Sequence, residues 1–99
     1  MQLYVVRRSG AVADMQALKD VAARSAKIGN DEMPDRVRWI RSCVVEESDR
    51  RVGTVCIYEA KDPDSTREHA RRAGIPADDI VPVLDSVLAR PVPEFRPEP

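Results

Sequence analysis

The stretch from Cys56 to Pro76 constrains the fold of this chain more than any other, because it spells out a strand, a capped helix and a helix stop without a gap. Asp62 suits the N-cap, Pro63 the first helical position where its missing N–H costs nothing, and Asp64 adds negative charge to the first turn. Gly74 ends the helix. Glycine reaches the left-handed conformation past a helix end at little cost; Ile75 can close back toward Ala70, and Pro76 bars continuation. Within this helix Thr66, His69, Ala70 and Ala73 recur at i, i+3, i+4 and i+7, so they form the inward stripe, while Arg67, Glu68, Arg71 and Arg72 point outward.

The rest of the chain falls around that unit. Leu3 to Arg7 is a β-branched and aromatic run ended by Arg7-Arg8-Ser9-Gly10, which predicts a first strand and a turn. From Asp14 to Ile28 the residues Met15, Leu18, Val21, Ala22 and Ser25 keep helical spacing, and Gly29-Asn30 stops that helix before a polar loop at 30–35. Val37 to Glu46 and Val52 to Ala60 read as a hairpin. With Asp49 and Arg50 at its tip, facing residues have numbers summing to 99, so Cys43 and Cys56 become cross-strand neighbours. On this register Trp39, Cys43, Val45, Cys56 and Tyr58 share one face and Ile40, Val44, Val55 and Ile57 the other. Both faces are then apolar. Helices cover one face of such a sheet, so the other predicts a symmetric partner subunit.

Ile80 to Ala89 fits either a helix or a strand by pattern, and topology selects the strand. The expectation is a turn around Ala77 to Val81 and a strand from about Val83 to Ala89. The resulting order, β-α-β-β-α-β, is the ferredoxin-like arrangement: an α+β sandwich, an antiparallel sheet with two helices on one face, associating in the manner of a dimeric α+β barrel. Residues 1–89 form the domain. The tail at 90–99, with four prolines in its last nine residues, is extended or disordered, and Phe95 within it is solvated or docks on a neighbouring subunit.

Ninety-nine residues make a single domain with one modest core. Sixteen basic against seventeen acidic side chains leave a net charge of −1, which argues against nucleic acid as a partner. The pairs Arg7-Arg8, Arg50-Arg51 and Arg71-Arg72 read as solvated surface. No start resembling a signal peptide and no run approaching the ~18 apolar residues of a membrane span is present, so a cytoplasmic protein with reduced thiols is expected, without membrane association.

Several groups carry possible chemistry. His69, the only histidine, reads as a packed, hydrogen-bonded residue, as a Ni(II) or Zn(II) ligand supported by Glu68, or as an acid/base group. Cys43 and Cys56 beside His69 would be a soft Cys₂His set, against a reading as small core hydrophobes. Tyr4, Trp39 and Tyr58 are core aromatics or the lining of a pocket between helices and sheet, bordered by Trp39, Tyr58 and His69. The carboxylates of Asp31-Glu32, Glu46-Glu47 and Asp78-Asp79 read as solvated turn residues. For catalysis there is no nucleophile elbow, no His-x-x-x-His and no phosphate-binding glycine loop, so no catalytic residue is assigned and no organic cofactor is expected.

Three segments point further. Val-Arg-Trp-Ile-Arg-Ser at 37–42, Cys-Ile-Tyr-Glu-Ala at 56–60 and Arg-Glu-His-Ala-Arg-Arg-Ala-Gly-Ile-Pro-Ala-Asp at 67–78 together resemble a family of small bacterial proteins, a domain of unknown function with members named nickel-binding proteins. The likeness spans about residues 3–89. It implies a ferredoxin-like homodimer, with nickel bound at the dimer surface in at least one member. On that resemblance the expected function is binding or sequestration of nickel or another divalent transition metal, with His69 the first ligand and Glu68 the second. The alternative expectation is a small-molecule binder or enzyme of the dimeric α+β barrel type, with its pocket between helices and sheet.

Overall fold

Four strands and two helices follow one another in the computed structural model, which describes residues 1–91. They are β1 (Gln2–Val12), α1 (Met15–Lys27), β2 (Val37–Glu46), β3 (Val52–Ala60), α2 (Pro63–Ala73) and β4 (Asp79–Pro82). The sheet is antiparallel in the order β2-β3-β1-β4, the ferredoxin-like topology that the element order predicts. Both helices cover one face.

Period-two alternation sets that face. Tyr4 and Val6 on β1 and Cys56, Tyr58 and Ala60 on β3 point inward and form one buried cluster with Ile28, Met33, Val37 and Ala73. On α2 the buried residues are Ser65, Thr66, His69, Ala70 and Ala73, the stripe that its spacing predicts. Its caps are also as read. The Asp62 carboxylate accepts from both the Ser65 hydroxyl and the Ser65 backbone N–H at 2.7 Å, and these hydrogen bonds, the hydroxyl's foremost, hold the carboxyl below the usual carboxylate range. Gly74 takes φ +71°, and the Ile75 N–H reaches back to the Ala70 carbonyl at 3.0 Å, closing a Schellman-type end.

The strands depart from expectation in three places. β1 does not turn at Arg7-Arg8 but runs to Val12, its pairing with β3 shifting between Arg8 and Val12, where Gly10 takes φ +55°. A bulge in the strand replaces the expected turn. In β2 the pairing slips between Trp39 and Arg41: Trp39 keeps the expected face but pairs with Tyr58 rather than Ala60, and beyond it Ser42 faces Cys56 and Cys43 faces Val55. One extra residue, Ile40, exchanges the faces of everything that follows, so Cys43 and Cys56 lie on opposite sides of the sheet. The third departure is the last strand. It spans Asp79–Pro82 where a turn was expected, and the segment from Val83 to Ala89 carries no strand. Backbone bonds from Asp78 N–H to the Arg7 carbonyl and from Val83 N–H to the Leu3 carbonyl bracket this short edge against β1. Its pattern hid it, because Pro82 ends the run after four residues.

The helix after β1 also runs on. α1 begins at the Asp14 cap, whose carboxylate accepts from Ala17 N–H at 2.9 Å, and continues through a π-helical turn at Ile28–Glu32, where a plain loop was expected. That wider turn buries Ile28 and Gly29 against the core. Phe95 and most of the proline-rich tail lie outside the described residues.

Candidate functional site

The inner face of the sheet is filled unevenly. Under α2 it is solid: the His69 ring meets Tyr58 edge to face with centroids 5.5 Å apart, and its Nε2 lies 2.9 Å from the carbonyl oxygen of Ser25 on α1. A carbonyl only accepts, so the imidazole proton sits on Nε2 and Nδ1 is bare. Nδ1 is buried with no partner. Burial pushes the His69 pKa down, against the Ser25 hydrogen bond and with help from the Arg8 charge, so the ring is neutral at physiological pH.

Between α1 and the sheet lies a cavity of about 190 Å³. Leu18, Val21 and Ala22 of α1 form its roof, and Thr54, Cys56 and Tyr58 of β3 part of its floor. It reaches solvent along β2, where the lining residues Trp39 and Val44 stay 38% and 45% exposed. At its inner end is Arg8. Three residues on β1, Tyr4, Val6 and Arg8, alternate onto the helix-covered face, so Arg8 is 3% exposed and corrects the reading of Arg7-Arg8 as a solvated pair.

The guanidinium has little company. Its Nη1 donates to Cys56 Sγ at 3.3 Å, and its carbon lies 5.6 Å from the centre of the Tyr58 ring. Ser42 Oγ donates to the same sulfur at 3.0 Å, so Cys56 is spent on its polar neighbours. Nε and Nη2 of Arg8 are buried without a hydrogen-bond partner, and no carboxylate lines the cavity. Burial raises the Tyr58 hydroxyl to about 12, well above its ordinary 10 even beside this cation, so it stays protonated.

The residues singled out by sequence are placed as follows. Trp39 and Tyr58 border the cavity, whereas His69 packs behind Tyr58 and does not face into it. Glu68 lies on the outer side of α2, its carboxylate held by Arg71 and Arg72 and thereby lowered to about 2. His69 and Glu68 therefore do not converge, one ring nitrogen is already engaged and the other is sealed in the core, so this pair does not fit a nickel ion. The Cys₂His set is also dissolved by the slip in β2. Among the described residues no three His, Cys, Asp or Glu side chains group to hold a metal. Arg8 was missed because adjacent arginines look like surface. Counting by twos from Tyr4 would have placed it inside.

Fold and hollow together define a small ferredoxin-like α+β protein with a ligand-sized space between its first helix and its sheet. A family model described as nickel-responsive protein, SCO4226-like, matches residues 4–83, and the chain belongs to that family. The crystal structure of SCO4226 from Streptomyces coelicolor A3(2) is similar at a TM-score of 0.70 and 19% identity, covering 86% of this chain and 99% of that one, which supports the fold. No curated protein matches the sequence. Among the described residues no helix is long and apolar enough to cross a membrane.

Proposed function

We propose that this chain acts as a cytoplasmic homodimer that binds a divalent transition metal, nickel foremost, in a sequestration or response role. Its membership of a nickel-responsive family over residues 4–83 carries the reading. In this reading the nickel site takes donors from two copies, since among the described residues of one copy no three His, Cys, Asp or Glu side chains group together. Support for pairing comes from the face that the helices leave open. There Leu3, Val5, Cys43, Val45, Val55, Ile57 and Val81 make an apolar sheet surface, with Val55 36% and Val81 50% exposed. Covering such a surface drives association at ~25 cal/mol per Å² before association costs are met.

Sedimentation and calorimetric titration of Ni(II) test this together, on protein purified without an affinity tag. Wild type sediments as a dimer and takes up Ni(II); Ile57→Glu, with a charge in the middle of the open face, sediments as a monomer and loses most of that binding. A wild-type monomer at micromolar concentration, or equal nickel heats for both proteins, overturns the reading. His69→Gln keeps its nickel heat because the ring is inside. A second reading rests on the cavity itself, whose size and apolar roof suit a small organic molecule.

A further inference from the structure

Arginine cannot meet burial as His69 does, by giving up its proton, because a guanidinium is not deprotonated in proteins. Arg8 therefore carries a full positive charge into the interior, where an unpaired ion is costly. Its one hydrogen-bond acceptor is a thiol sulfur, a weak one. The two donors left over are not scattered. Nε–H and Nη2–H share one edge of the planar guanidinium, the edge that meets a carboxylate with two parallel hydrogen bonds. Arg8 also lines the cavity, whose remaining surface is largely apolar.

We infer that the cavity between α1 and the sheet is a binding site for a small carboxylate with an apolar body, and that Arg8 is its anchor. The inference rests on the small-molecule reading of the cavity and adds the charge and class of the ligand. An apolar cavity of ~150 Å³ accommodates a benzene ring, so the 190 Å³ here takes a single ring or short branched chain together with its carboxylate. The carboxylate lies against the Nε and Nη2 edge of Arg8, which supplies the missing counter-charge. The ring lies under Leu18 and Val21, toward Trp39 at the mouth. Tyr58, protonated and stacked near the guanidinium, closes the floor without adding a competing anion.

Trp39 is the only tryptophan and reports on its own cavity. Benzoate and cyclohexanecarboxylate are titrated against wild-type protein while Trp39 emission is followed with excitation at the red edge, alongside the neutral isosteres benzamide and benzyl alcohol. The expected result is saturable change with the acids at least tenfold tighter than with the isosteres, and at least tenfold weaker acid binding in Arg8→Met, which keeps length and loses charge. Saturating benzoate raises the melting temperature of wild type and leaves that of Arg8→Met unmoved. Neutral isosteres that bind as tightly as the acids overturn the anionic assignment and leave the cavity reading standing. If neither acids nor isosteres bind wild type, both fall. The wild-type comparison of acid with isostere decides the matter even where Arg8→Met folds poorly.

Discussion

The two halves of the helix-covered face handle buried nitrogen bases in opposite ways. Under α2, His69 is packed on Tyr58, tied to Ser25 and relieved of its charge by burial. Beneath α1, Arg8 is as deeply placed but keeps its charge and faces the cavity. A group that can titrate makes a finished core. One that cannot leaves the core dependent on something brought from outside.

Substitutions on the two sides separate these cases. His69→Ala removes a ring that touches Tyr58 and fixes α2 to α1, and its expected cost is about 3 kcal/mol in urea unfolding. Val21→Ala, on the roof of the cavity, costs about 1 kcal/mol because that side chain is only half-buried over a hollow. Equal losses would erase the contrast between packed and hollow halves.

Acid sharpens it. The native pKa of His69 lies below its unfolded value of about 6.5, so the unfolded chain binds the extra proton. This contribution is fully present above that pH and is lost as pH falls through it, with a slope for one proton of at most about 1.4 kcal/mol per unit. His69→Gln flattens this limb in denaturation curves taken from pH 7.5 downward, whereas Arg8→Met leaves it nearly in place. The smallest effect expected is Asp62→Ala, a slight drop in the thermal unfolding midpoint from loss of the N-cap, with the cavity unaffected.

What could be read from the chain followed how local each signal is. The α2 helix was legible to the residue because its cap, stripe and stop are all chosen by neighbours within five positions: Asp62, Thr66, His69, Ala73 and Gly74. The sheet order followed from the succession of elements. Register did not, because nothing around Ile40 announces an extra residue, and that one position decides whether Cys43 or Ser42 faces Cys56. The fourth strand was mislaid for a related reason. Val83 to Ala89 alternates well on paper, but pairing with β1 is set by where the chain returns to Arg7 and Leu3, which only the assembled fold determines. Of the cavity, Trp39 and Tyr58 were foreseen as aromatics of the core or of a pocket between helices and sheet. Arg8 was hidden by its neighbour, since Arg7 and Arg8 are alike in type and opposite in direction.

The extra residue in β2 has an outcome for anyone handling the molecule. By turning Cys43 outward while Cys56 stays inside, it leaves the native chain one reachable thiol. A maleimide dye placed there stands on the very surface where a second copy would press, and so becomes a gauge of whether that surface is covered.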